Sequence, residues 1–141
     1  MISTKGRYAL RVMIDLARQP RGAYVPLKDI ADRQGISKKY LEILMRDLVA
    51  GKLVRGVSGK GGGYCLCRLP EEYSVGEILE AMEGSLAAIA CLKDGASPCL
   101  RADRCDTLPF WKEYHQLTHD FLYGKKLSDL VSPAGPPAEN A

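Results

Sequence analysis

A mainly α-helical chain with one small β-hairpin is the fold class this sequence predicts, and three observations carry the prediction. Apolar residues recur at i, i+3 and i+4 in several separate stretches, the spacing that lines one face of a helix. One glycine-dense run, Gly56 to Gly63, lies between two short segments of strand-forming residues, which is the pattern of a hairpin. A long C-terminal stretch carries aromatic residues at helical spacing. Arranged in this order, the elements make a winged helix-turn-helix domain followed by a long helix suited to dimerisation.

Ser3 is placed to cap a first helix of about Thr4 to Arg18, in which Ala9, Val12, Met13, Leu16 and Ala17 form one core-facing stripe. Its basic start, Lys5, Arg7 and Arg11, is suited to a phosphate contact. Proline and glycine in the loop from Gln19 to Val25 separate it from the next helix.

Pro26 suits the first turn of a second helix carrying Leu27, Ile30 and Ala31, and Gly35 ends it. Ser37 then caps a third helix, whose Leu41, Leu44, Met45 and Leu48 face inward. Two short helices around a glycine turn make a helix-turn-helix. With the apolar face inward, Lys38, Lys39, Tyr40, Glu42, Ile43 and Arg46 lie outward or at the edge, with Lys28 on the helix before and Ser37 at the cap. Lysines and arginine neutralise phosphates, and a carboxylate such as Glu42 accepts from the amino group of cytosine. The same row, Lys38, Glu42 and Arg46, also fits an ordinary ladder of ion pairs on a solvated helix.

Leu53-Val54 and Tyr64 to Leu69 read as two strands of a wing. Ser58, Gly59, Lys60, Gly61 and Gly62 form its tip, with Arg55 on the first strand. Glycine lets backbone approach a phosphate or enter a narrow groove, and Lys60 adds charge at the point of approach. Cys65 and Cys67, two apart on the second strand, are expected on one face, either as small packing residues or as a shared ligand pair.

After Pro70, Ser74 and Glu77 form a capping box for a helix with apolar Val75, Ile78, Leu79 and Met82, closed by Gly84. A short apolar link, Leu86 to Ala90, leads into a loop with three thiols, Cys91, Cys99 and Cys105. The loop has glycine, proline and charge but little apolar surface, so burial alone cannot order it. Three thiolates converging on a metal or cluster would supply that order. Free or redox-active cysteines are the other reading, because the spacing is neither that of a zinc ribbon nor that of a ferredoxin.

From about Pro109 a long helix repeats Phe110, Tyr114, Leu117 and Phe121, with Trp111, Thr118 and Leu122 beside them. This stripe is wider than one small domain must bury and suits packing against a second copy as well as its own domain. Gly124 breaks the helix, Leu127 to Val131 docks as a last turn, and the rest is a polar tail. The expected organisation is therefore a winged helix-turn-helix at 1–70, a connecting helix and cysteine loop at 71–106, a dimerisation helix and terminal turn at 107–131, and a disordered tail at 132–141.

A chain of 141 residues, 46% hydrophobic, can bury one core and little more. It has no run of about twenty apolar residues and no apolar signal region at its start, so a cytoplasmic protein without a membrane partner is expected. The net charge of +3 conceals a split: residues 1–69 hold 14 Lys plus Arg against 5 Asp plus Glu, a balance of +9, and the remainder holds 6 against 12, a balance of −6. That places a footprint for polyanions on the half with the helix-turn-helix and wing. Five cysteines, an odd number, do not make a disulfide framework. No nucleophile and base pattern appears, and the wing's GKGGGY lacks the spacing of a phosphate-binding loop, so an enzyme is not expected.

Several blocks in order, ISTKGRYALRVMIDLA, LKDIADRQGIS, KYLEILMRDLVAGKLV, GGGY and SVGEILEAMEG before a cysteine loop, resemble the IscR-type winged helix-turn-helix regulators, the Rrf-two family. The likeness runs over nearly the whole chain. It implies a homodimeric transcription regulator on double-stranded DNA, with the Ser37 to Ala50 helix in the major groove and the wing at the minor groove. The family's wing usually reads Arg-Gly ahead of its glycine run, and Ser58-Gly59 stands there in this chain, leaving Lys60 or Arg55 as the minor-groove cation. Members of the cluster-binding branch, the IscR-, NsrR- and RirA-like proteins, hold an iron–sulfur cluster with three cysteines in this loop, and Cys91, Cys99 and Cys105 match them. IscR itself has a histidine three residues after the last of these, where this chain has Leu108. The fourth ligand is thereby open among Asp106, His115, His119, a residue of the partner's first helix near Tyr8 and a small exogenous ligand, and the two-iron and four-iron forms are both open.

The reading is a cytoplasmic, dimeric regulator that senses iron, redox state or nitric oxide through a labile cluster. The dimer would set two reading helices about one DNA turn apart on a near-palindromic operator. Its rivals are the same regulator acting by thiol redox chemistry or zinc, and a CymR-like regulator controlled by a protein partner.

Overall fold

The computed structural model describes residues 1–97 and 99–131, so the tail expected at 132–141 lies outside the described residues. Six helices and one hairpin follow in the order α1 (Thr4–Ala17), α2 (Leu27–Gln34), α3 (Lys38–Ala50), β1 (Val54–Val57), β2 (Gly63–Leu66), α4 (Val75–Glu83), α5 (Leu108–Gly124) and α6 (Leu127–Leu130). Three further 3-10 turns lie at Pro70–Glu72, Ala90–Leu92 and Ala102–Arg104.

The caps form where the short polar residues stand. Ser3 accepts from the Gly6 N–H, Ser37 from the Tyr40 N–H and Ser74 from the Glu77 N–H, each satisfying an amide that the first helical turn leaves free. Gly35 ends α2 at φ 64°, a left-handed conformation that needs no Cβ, and its N–H donates to the Ala31 carbonyl at 2.9 Å. Pro26 is the residue before the first turn of α2 rather than within it.

One core joins the first and the last of these helices. Ala9, Val12 and Met13 of α1, Ile30 of α2, Leu41, Leu44, Met45 and Leu48 of α3, Ile78 of α4 and Leu127 of α6 are fully buried in it. Truncating any large member costs about 2–5 kcal/mol, so the two helices of the motif are held by packing rather than by their own helix propensity.

The wing differs from the sequence reading in the extent of its strands. Its strands pair antiparallel with Val54 opposite Leu66 and Val57 opposite Gly63, so the hairpin is displaced toward its tip and β2 ends at Leu66. Val25 adds a bridge to Tyr64, exchanging both backbone hydrogen bonds at 2.8 Å. Cys65 and Cys67 therefore do not share one strand face: Cys65 is buried, as a packing residue would be, and Cys67, already in the turn, is exposed. The reason is Tyr73, whose buried hydroxyl receives the N–H groups of Cys67 (2.9 Å) and Arg68 (3.0 Å) and bends the chain out of the strand.

Helix α5 lies on α4, where the Tyr123 ring fills the space over Gly76 and its hydroxyl hydrogen-bonds the Glu80 carboxylate. Burial and that carboxylate push the Tyr123 phenol up to about 12. The opposite side of α5 is open.

Candidate DNA-binding surface and cysteine loop

Helix α3 is fixed from inside and free outside. Its inner row, Leu41, Leu44, Met45 and Leu48, has no exposure. Lys5 at the start of α1 forms an ion pair with Asp47, and Tyr8 of α1 meets Tyr40 edge to face, ring centres 5.8 Å apart. Lys5 and Tyr40, both candidate contacts from sequence, thus also brace the helix. On the outer face Lys38, Lys39, Glu42 and Arg46 are exposed, together with Ile43. None of the four charged residues takes part in a salt bridge among the described residues, so the i, i+4 ladder of ion pairs does not form. Three cations stand uncompensated on one rigid surface. Lys28 is exposed on α2, and Arg7 is exposed on α1 with its guanidinium on the Thr4 hydroxyl at 3.2 Å.

Helices α1 and α2 are clamped by polar contacts that sequence reasoning missed. Asp15, only 3% exposed, accepts two hydrogen bonds from Arg33 at 2.8 and 3.0 Å and one from Gln34 at 2.8 Å. Arg11 reaches across as well, to the side chain and carbonyl of Gln34, and stacks over Tyr8. It is thereby a brace of the motif, not a free phosphate ligand. The only signal in the sequence is a carboxylate on the apolar face of a helix, which demands a partner.

At the wing, Ser58, Gly59, Lys60 and Gly61 are exposed and Gly62 is half-buried. Gly59 and Gly61 take φ values of 89° and 79°, and the Gly62 N–H closes the turn on the Gly59 carbonyl at 3.0 Å. Lys60 sits between them at the tip. Arg55 belongs to the base, its guanidinium 5.9 Å from the Tyr24 ring.

The three loop thiols are free, Cys91 and Cys99 exposed and Cys105 half-buried. Among the described residues no three or more His, Cys, Asp or Glu side chains stand close enough to hold a metal ion. Cys105 is the most prepared of the three. Its sulfur lies 3.4 Å from the Thr107 hydroxyl, and that hydroxyl, with the N–H groups of Thr107 and Leu108 at the start of α5, holds the thiol below its ordinary range. His115 and His119 lie together on α5, ring centres 5.9 Å apart, with His119 stacked on Tyr123.

A glycine-turned helix pair, a basic outer face on the second helix and a hairpin tipped by glycines and a lysine define a winged helix-turn-helix transcription regulator. The family model described as Iron-dependent Transcriptional regulator matches residues 2–133. The chain belongs to that family, Rrf2. It is 40% identical over 131 residues to the HTH-type transcriptional regulator IscR of Pectobacterium carotovorum, covering 93% of this chain and 79% of the relative. Among solved structures, T. potens IscR superimposes with a TM-score of 0.76 at 35% identity, covering 96% of this chain and 88% of that one. CymR, the global cysteine regulator of B. subtilis, gives 0.74 at 31%, covering 93% and 95%. Like these relatives the chain is a transcription regulator and not an enzyme. No helix among the described residues is long and apolar enough to cross a membrane.

Proposed function

We propose that the chain is a homodimeric regulator that places α3 in the major groove of a near-palindromic operator and the wing tip in the minor groove, and that responds to iron, redox state or nitric oxide through an iron–sulfur cluster on Cys91, Cys99 and Cys105. The observation that carries the DNA contact is the unpaired row Lys38, Lys39 and Arg46 on a helix whose other face is wholly buried. A rigid helix with free cations on one side loses no internal ion pair when it meets phosphates. Glu42, among them, is the candidate base reader. Ser37, at the helix start, and Lys28 and Arg7, exposed nearby, complete the phosphate set. Lys60, at the tip, takes the minor-groove role, with Arg55, exposed beside Tyr24 at the base of the wing, as the other candidate cation.

The dimer rests on α5. Phe110, Tyr114, Leu117 and Phe121 are 59%, 46%, 71% and 62% exposed along one face, an apolar stripe of the kind that marks a protein interface. Residues 1–70 then read DNA, 71–106 connect and sense, and 107–131 pair the subunits.

The donor chemistry of the loop fits a cluster. Three thiols outside any disulfide are available, thiolate is the ligand such clusters take, and Cys105 is already biased toward it. When bound, the cluster supplies one-electron chemistry and a site of attack for oxidants. The chain's own part is to hold it by Cys91, Cys99 and Cys105 and to connect α4 to α5 through the segment that carries them. Leu108 cannot be a ligand, so the fourth position falls to Asp106, His115, His119, the partner's first helix or an exogenous group. Both two-iron and four-iron forms are compatible with three thiols.

A second reading keeps the DNA-binding regulator and lets the loop act by thiol redox chemistry or zinc, or by a protein partner. The accessibility of Cys91 and Cys99 favours it. The deciding experiment is the visible absorption spectrum, with iron and sulfide content, of protein purified without oxygen, beside the C91A, C99A and C105A variants. Brown protein bleached in all three supports the cluster. Colourless protein after attempted reconstitution overturns it and leaves the second reading.

A further inference from the structure

A cleft of 280 Å³ opens behind the wing, lined by the end of α1, the loop from Gln19 to Ala23, Arg55, and the stretch from Cys65 to Pro70 with Glu72. It falls just below the usual range for small-molecule pockets, about 300–1,000 Å³. Lys60 and the glycines of the wing tip take no part in it.

Its charge is one-sided. Arg21, Arg55 and Arg68 line the cleft against one carboxylate, Glu72, which is turned to the backbone and accepts the Leu69 N–H at 3.2 Å. Arg68 is committed to Glu77 and to the Glu72 carbonyl. Arg21 and Arg55 pair with no carboxylate among the described residues. Near the end of α1 the carbonyls of Ile14, Asp15 and Leu16, which would repel an anion, are engaged by the N–H groups of Arg18 and Gln19 and by the Gln19 side chain. Arg55 leans on the Tyr24 ring and the Cys65 thiol, but neither it nor Arg21 is neutralised, and two guanidiniums without a carboxylate on one concavity match a ligand with carboxylates, which arginine binds in bidentate fashion.

The cleft also holds thiols that lie outside the Cys91 to Cys105 set. Cys65 is buried, its Sγ on the Leu66 carbonyl at 3.3 Å. Cys67 is exposed and free, on a backbone pinned by the Tyr73 hydroxyl. We propose that this cleft binds a small carboxylate-bearing disulfide, with its carboxylates on Arg21 and Arg55, and that Cys67 exchanges with it to form a mixed disulfide. The Cys67 thiolate attacks one sulfur of the ligand. A bond forms between Cys67 Sγ and that sulfur, the ligand's own S–S bond breaks, and the departing thiolate takes up the proton that Cys67 released. The disulfide is the oxidant and leaves as one thiol, so the exchange balances.

The test is exchange of the full-length reduced protein with two disulfides of opposite charge, oxidised glutathione and cystamine, followed at each cysteine by mass spectrometry. Cys91, exposed in the loop, is the reference on the same molecules. The expected result is that Cys67 prefers the glutathione reagent over cystamine by about fivefold more than Cys91 does, as two exposed ion pairs allow. That excess falls as salt rises and disappears in R21A/R55A. Equal preference at Cys67 and Cys91, a preference that ignores salt in the wild-type chain, or no reaction at Cys67 would overturn the proposal. The salt series needs no variant, so it decides even where the double substitution disturbs folding.

Discussion

The Tyr73 hydroxyl donates to the Leu53 carbonyl at 2.6 Å while receiving the N–H groups of Cys67 and Arg68. One phenol thus ties the entry of the wing, its exit and the approach to α4 into a single unit, and Tyr73 itself has no exposure. Burial raises its pKa, against the lowering effect of those two N–H groups, so it works as a neutral donor and acceptor at any ordinary pH.

Replacing Tyr73 by Phe keeps the ring and leaves two N–H groups and a carbonyl without their partner. The expected cost is about 1–3 kcal/mol, read as a lower urea midpoint at unchanged m-value. Hydrogen exchange should rise at Cys67 and Arg68 more than in α1. Unchanged protection there would mean that the wing base is held by packing alone.

Asp15 and Arg33 make the second joint, between α1 and the first helix of the motif. The aspartate is buried and the guanidinium is 41% exposed, so the pair is worth less than a fully buried one. Asp15→Ala leaves a cavity and orphans Gln34 as well, for an expected loss of about 2 kcal/mol. In a double-mutant cycle with Arg33→Ala the two losses should be clearly less than additive. Additive losses would mean that the two side chains stabilise the fold separately.

The third joint titrates. Burial raises the Glu77 pKa, but Arg68 and the backbone and hydroxyl of Ser74 together outweigh it, and the net value falls below the ordinary 4.5. A carboxyl whose folded pKa is depressed contributes stability above its unfolded pKa and loses it as the pH falls through the folded value. Unfolding free energy should therefore drop on going below about pH 4.5, by up to about 1 kcal/mol from this group because both partners are about one-third exposed. In Glu77→Gln that part of the pH dependence should vanish, leaving a shallower acid limb in denaturation curves taken every half unit.

The first two of these joints, and the Arg68 arm of the third, mark where sequence reading stops. The helices, the glycine turn at Gly35 and the caps at Ser3, Ser37 and Ser74 were legible because each depends on residues within four positions of one another. Asp15 and Arg33 stand 18 apart, and Tyr73 and Leu53 stand 20 apart. No periodicity announces such pairs. The same limit explains Cys67: alternation places it beside Cys65 only while the strand continues, and a tyrosine six residues later ends the strand first. The exposed face of α3 was legible as a pattern, but its unpaired state was not, since spacing alone is equally consistent with an ion-pair ladder. For the three loop thiols, spacing supplies candidates and leaves their convergence to whatever they bind.

The unpaired face of α3 gives the last expectation. If Lys38, Lys39 and Arg46 neutralise phosphates, each released counterion adds about 0.9 to the slope of log K against log salt on duplex DNA. Arg46→Ala should lower that slope by about 1 and weaken matched and unrelated duplexes alike. Glu42→Ala should leave the slope nearly unchanged and relax discrimination between duplexes, since a base contact carries sequence information and releases no counterion. Lys60→Ala should lower the slope as Arg46→Ala does, with its largest effect on duplexes whose minor groove is narrow at the wing position. Fluorescence anisotropy over a salt series, with a duplex selected from genomic DNA by the protein itself and a scrambled control, measures all three. A slope that ignores Arg46 would remove α3 from the phosphate contacts, whatever the affinity.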